Sequence, residues 1–234
     1  MLQREPVVAA KVVELANSSY YKRGTKDVVD IKAAFMQLGV HGLSEGVING
    51  FISRLVPQAD IYFQFYGQKI WQHSLLTGSI ARQLLLKSEH CSFASQGYLL
   101  GLIANLGDVI IYQIMLEAFT SIHPDYQPNS NQFKTLMRKK NKKLTYFVAK
   151  YWQLPTIIVD VLALQTKVEG SAMLLSLFRR QPIACYIYEA KVLSELEMRL
   201  QCKSLTLEQY QKYTARLLYT DESKAYANQQ IEKY

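Results

Sequence analysis

The sequence predicts an all-α protein, a compact bundle of many helices, on three observations. Glycine and proline are sparse, eleven and six in 234 residues, too few for the turn-rich chain of an all-β fold. Apolar residues recur at three- and four-residue spacing along successive segments, as one face of a helix requires. The most apolar stretch, Tyr98 to Met115, reads YLLGLIANLGDVIIYQIM and is broken only by Asn105 and Asp108 beside Gly107. It has neither the length nor the charged flanks of a membrane span, so it reads as a buried helix pair.

Pro6 to Asn17 is the first predicted helix, with Pro6 at its first position and Val8, Val12 and Leu15 along one side. The next runs through Ile31, Ala34, Phe35 and Leu38, capped by Asp27 or Asp30 and stopped by Gly39 at C′. A third spans about Ser44 to Leu55 and ends at Pro57; Gly46 and Gly50 share a face suited to close packing. His41 falls in the turn between these two. Gly67 to Lys87 is a long amphipathic helix with Ile70, Trp71, Leu75, Ile80, Leu84 and Leu85 on its apolar side. His73 lies within it, and a lone imidazole in such a helix reads as a hydrogen-bonded core residue, because a metal needs further donors.

Ser92 is placed to cap the central pair. Asp108 is placed to cap its second helix at Val109, where the macrodipole favours a carboxylate. HPDYQPNSNQ is the clear loop. A basic helix follows and runs into LTYFVAKYWQLP, then an apolar helix from Pro155 to Leu164. Leu174 to Leu200 reads as helices around Pro182, carrying Ile183, Tyr186, Ile187, Ala190, Leu193 and Leu196. Thr206 to Gln209 fits a capping box opening a helix to about Leu218. The closing DESKAYANQQIEKY is polar and reads as a frayed helix.

Hydrophobic residues make up 49% of the chain and charged ones 20%, the balance of an ordinary globular protein with a sizeable core. Cys91, Cys185 and Cys202 have no CxxC or metal-ligand spacing, which suits a reducing, cytoplasmic setting. The N-terminal residues lack a signal-peptide layout. Walker and HExxH motifs are absent. The net charge of +8 is unevenly spread: from Tyr126 to Val159 there is no Asp or Glu. The same span holds Lys134, Arg138, Lys139, Lys140, Lys142, Lys143 and Lys150. Such a run is a solvated helix face or a surface for an anionic partner.

Several phrases, in order, resemble those of the HDOD family, a regulatory branch of the HD phosphohydrolase superfamily. EPVVAAKVVELANSSYY resembles its segment ending in L-x-x-A-N-S, and DIKAAFMQLGVHGL its S-I-x-x-A-I-x-x-L-G-x-x-x-L. IWQHSLLTGSIA is similar to L-W-x-H-S-x-x-x-A, GLIANLG to GLLHDIG, and LTYFVAKYWQLP to the phrase closing in W-x-L-P. The likeness covers roughly Glu5 to Thr166. It implies an HD-like helical core over residues 1–170, with a C-terminal helical extension over 171–234 packing on that core. It also implies one or two further helices upstream, so that the chain begins inside the usual domain.

The resemblance further implies which positions would hold metal in catalytic relatives, and here the sequence departs. His73 matches the first ligand. Ala104-Asn105 stands where the superfamily has His-Asp, Asn141 where it has a later His, and Gln165-Thr166 where a His-His pair is frequent. Alanine offers no donor, and an amide is a weak neutral ligand that cannot bridge cations. No metal and no cofactor are therefore expected.

The expected role is a non-enzymatic bacterial signalling module. It would bind a protein partner, such as a response-regulator or cyclic-dinucleotide pathway component. An alternative is a small-ligand sensor, for a nucleotide or cyclic dinucleotide, using a vacated pocket of His73, Asn105, Asn141 and Gln165. A residual phosphohydrolase would need a cation to polarise phosphate and activate water. Nucleic-acid binding through Lys134 to Lys143 predicts affinity that falls steeply with salt, yet no reader motif supports it.

Overall fold

The computed structural model describes residues 12–13, 15–18, 21–22, 28, 33–39, 42, 61–122, 130–168 and 181–233. The protein is all-α, as predicted, and divides into two compact units, Met1–Gln58 and Ala59–Tyr234. Pro6, Asp27, Asp30, His41, Pro57, the helix expected over Ser44 to Leu55 and the loop around His123 lie outside the described residues.

In the first unit Val12, Ala16, Ala34 and Leu38 form a small buried cluster. Asn17 ties its turn together by imitating a backbone pair. Its Oδ1 accepts from Val28 N at 2.7 Å, and its Nδ2 donates to Val28 O at 2.7 Å. Gly39 ends the helical residues 33–39 with φ +65°, the left-handed conformation that favours glycine.

The second unit opens with α1 (Ile61–Lys87). It begins six residues before the expected start, because packing outweighs the helix penalty of Gly67. Tyr66 and Ile70 sit against the cluster of Ile111, Tyr112, Leu116 and Met137. The apolar stretch is indeed a pair, α2 (Ala94–Ile103) and α3 (Leu106–Ile122), turning at Ala104 and Asn105. Ser92 does not cap it. Ser92 lies in a short 3-10 turn, Cys91–Phe93, whose own backbone bond (Phe93 N to His90 O, 2.9 Å) occupies the entry, and α2 starts without a side-chain cap. Among the described residues only Cys91–Ala118 is long and apolar enough to cross a membrane, and most of it is buried inside the protein.

Next come α4 (Ser130–Tyr151) and α5 (Thr156–Lys167). α4 stops in a Schellman turn: Gln153 N bonds Lys150 O and Leu154 N bonds Ala149 O, both at 3.1 Å, with Gln153 at φ 52°. Pro155 then takes the N-cap position of α5. α6 (Pro182–Gln201) begins on its proline and ends in a second Schellman turn at Lys203, φ 54°. The predicted capping box opens α7 (Leu207–Leu217), with Gln209 N to Thr206 Oγ1 at 3.2 Å and Thr206 N to Gln209 Oε1 at 3.1 Å.

The last segment, expected to fray, is instead a packed helix, α8 (Asp221–Ile231), burying Ser223, Tyr226 and Ala227. A fully buried carboxylate on α6 holds its start. Glu189 accepts from Tyr219 N, Thr220 N (2.9 Å), Thr220 Oγ1 (2.6 Å) and Ser223 Oγ (2.8 Å). Negative charge among the free N–H groups of a helix start is favourable there.

α1 packs along α2 and α6, α3 lies on α4, α4 on α5, and α5, α7 and α8 all reach α6. Glycine sets the closest approach of α1 and α2: a Cβ on Gly101 would stand 2.7 Å from Gly78 Cα. Backbone meets backbone there, which places His73 and the Ala104–Asn105 turn side by side.

Candidate functional site

His73 and Thr77 follow one another on the inner face of α1. Thr77 Oγ1 donates to His73 O (2.7 Å), lies 2.7 Å from Ser194 Oγ on α6, and accepts from Asn105 Nδ2 at 3.2 Å. The Asn105 amide is thus spent on a hydroxyl, and its Oδ1 is buried with no protein partner. His73 Nε2 lies 3.4 Å from the carbonyl of Lys191. Burial, and then the charge of Lys191, lowers the His73 pKa to about 4, so the imidazole is neutral at pH 7.

Asn141 faces elsewhere. On α4 its Nδ2 donates to Asp108 Oδ2, and its Oδ1 accepts from Thr145 Oγ1 at 2.9 Å. Thr145 Oγ1 in turn accepts from Gly107 N at 2.9 Å. A Cβ on Gly107 would sit 2.4 Å from Asn141 O, so glycine is what lets α3 begin against α4. Asp108 lies within the first turn of α3, which starts at Leu106 rather than Val109, and its carboxylate bonds Asn141 instead of capping. Gln165 Nε2 donates to Ala184 O across α5 and α6 at 2.7 Å.

These four residues do not line one chamber. One cavity beside them, about 180 Å³, is lined by Ala104, Lys142, Thr145, Gln165, Lys191 and Glu195, with Leu162, Tyr188 and Val192. Of the four, only Gln165 reaches it. The residue that sequence reasoning missed is Lys191. Its Nζ donates to Ala104 O at 3.3 Å. Burial lowers its pKa, while Asp108 and Glu195 pull it back up. Burial raises the Asp108 pKa, against the opposing effects of Lys191 and Asn141. One signal was available: Lys191 lies on the stripe of Ile187, Ala190 and Ser194, all buried, and a lysine on a core-facing stripe is rare.

The residues present do not fit a metal centre. Among the described residues no three His, Cys, Asp or Glu side chains stand together as a ligand set. Around His73 the neighbouring groups are amides, hydroxyls and an ammonium, which supply neither the charge nor the donor number a catalytic cation needs.

The basic residues separate into two groups. Lys134, Arg138, Lys139, Lys140 and Lys143 are exposed on α4. Lys142 turns inward, its Nζ donating to Val168 O at 2.8 Å beside the cavity. Further along the same helix Phe147 (61% exposed) and Tyr151 (84%) are open, with Trp152 (47%) just beyond its end.

The HDOD domain family profile matches residues 1–168. An HDOD domain protein of unknown function from Geobacter sulfurreducens superposes with a TM-score of 0.58 at 20% identity, over 82% of this chain and 63% of that one. The chain therefore spans under two thirds of that protein's length. A Shewanella amazonensis SB2B protein bearing the provisional name of metal-dependent phosphohydrolase superposes at 0.55 and 15% identity, over 95% of this chain and 78% of that one. At such identities the likeness shows the fold. No curated protein matches the chain.

Proposed function

Since the chain belongs to the HDOD family, we propose that it is a non-enzymatic regulatory module of bacterial signalling, working in the cytosol by binding a protein partner on a degenerate HD scaffold. One observation carries this reading. At the positions where the superfamily places metal ligands, Ala104 has no donor, and Asn105, Asn141 and Gln165 carry neutral amides whose N–H groups donate inside the protein. A phosphohydrolase needs a cation to polarise phosphate and lower the pKa of its water, and this donor set does not offer one a seat.

Two further observations favour a protein partner over a nucleotide. The cavity of about 180 Å³ is below the roughly 300–1,000 Å³ typical of small-molecule sites. The exposed face of α4 joins lysines to open aromatic side chains, and aromatics are favoured in protein interfaces. Two of the three free cysteines, Cys91 and Cys202, are exposed, which suits a reducing compartment.

Elemental analysis of protein purified without chelator or nickel tests the first half: less than about a tenth of an equivalent of transition metal is expected. Near-stoichiometric metal with phosphodiesterase turnover would sink it. Pull-down with the immobilised chain tests the second half. A partner retained by the wild type should be lost from Lys139→Glu/Lys140→Glu/Lys143→Glu, and recovery of nothing specific would count against partner binding.

A further inference from the structure

The disagreement between this site and a metal centre has a specific occupant. The Lys191 ammonium reaches the carbonyl of Ala104 (3.3 Å), the residue in the metal-histidine place. The Lys191 carbonyl faces His73 and accepts from Ser194 Oγ at 3.0 Å. Ser194 in turn leads through Thr77 to Asn105. Asp108, which holds Asn141, and Glu195 are the carboxylates that act on the Lys191 charge. Its stem borders the cavity beside Gln165. Of the places that would hold a cation in a ligand-bearing relative, Ala104 meets the Lys191 ammonium, His73 meets its carbonyl and Gln165 shares its cavity.

We propose that Lys191 is the resident cation of this scaffold, its ammonium supplying from within the chain the positive charge that a bound metal supplies elsewhere. A half-buried ammonium is favoured where an acceptor meets it and opposite charge is near. Ala104 O accepts from it at 3.3 Å, and the charges of Asp108 and Glu195 favour it from farther off. The ammonium therefore joins α6 to the α2–α3 turn. An ammonium there also repels an incoming divalent ion. The proposal rests on the reading that the site holds no metal.

The test is chemical rescue in the full chain. Lys191→Ala should lower the melting temperature by about 4 °C or more. Added n-propylammonium should restore part of that loss in Lys191→Ala and leave the wild type unmoved, while the neutral isostere n-propanol restores none. Equal rescue by amine and alcohol, rescue by neither, or a Lys191→Met protein as stable as the wild type would overturn the proposal. Should Lys191→Ala not fold, Lys191→Arg is set against Lys191→Met: arginine the more stable supports the resident charge, and the reverse order overturns it. Metal content of the wild type is read separately. Stoichiometric metal would remove the non-catalytic reading, whereas failed rescue in a metal-free protein would remove only the role of Lys191.

Discussion

Gly107 has no room for a methyl group. A Cβ there would meet the backbone oxygen of Asn141 at 2.4 Å, and backbone cannot rotate aside as a side chain can. Gly107→Ala should therefore force α3 from α4 and cost about 2 kcal/mol or more, read as a lower urea midpoint with an unchanged slope. His73 makes a different prediction. With its pKa lowered to about 4 by burial and by Lys191, its ring carbon signals in NMR should hold still between pH 8 and about pH 5.5, through the ordinary histidine range. A titration near pH 6.5 would mean that the ring faces solvent and that Lys191 lies farther off. Both effects arise from partners distant in sequence, and so neither was legible in it. His73 is half-buried with its Nε2 3.4 Å from the Lys191 carbonyl, and Lys191, its electrostatic partner, lies 118 residues away.

Elements whose ends are decided locally were the legible ones. Gly39 at a helix end and the Thr206–Gln209 capping box each carry their signal within four residues, and each is found as expected; Pro182, around which helices were expected, opens α6. The order of α8 is not legible locally, and fraying was expected, because its stabilising group, Glu189, is 31 residues upstream. Nothing in DESKAYANQQIEKY itself announces a buried carboxylate. Glu189→Ala should leave the Thr220 and Ser223 groups without their acceptor and cost about 3 kcal/mol or more. Hydrogen exchange in α8 should rise well above that of α1; unchanged protection in α8 would show that the helix holds without the carboxylate. The Schellman turn after α6 gives the opposite sign. Lys203 is exposed and left-handed at φ 54°, so Lys203→Gly relieves strain and should stabilise the protein by roughly 0.5–1 kcal/mol.

For the whole molecule, one buried acid shapes the response to pH. Glu197 on α6 bonds Tyr226 of α8, and burial raises its pKa to about 7 despite that bond and the charge of Lys233. The folded state thus holds a proton that the unfolded chain releases at its ordinary, lower value. The resulting stability is full below about pH 4.5 and is lost as pH rises through about 7. Glu197→Gln, a neutral mimic of the protonated acid, should match the wild type at pH 4.5 and exceed it by up to about 3 kcal/mol at pH 8. Parallel stability curves for the two proteins would show that Glu197 ionises freely in the fold.

The contact of Gly107 and Thr145 with Asn141 lies near the middle of α4, the helix whose outer face carries the exposed lysines. A straight helix pinned at such a point is a lever. From Asn141 to Ser130 the arm is about 16 Å at 1.5 Å per residue. A tilt of about five degrees at the pin therefore carries the far end through roughly 1.4 Å. Such a tilt would carry the exposed Lys134 end of α4 with it.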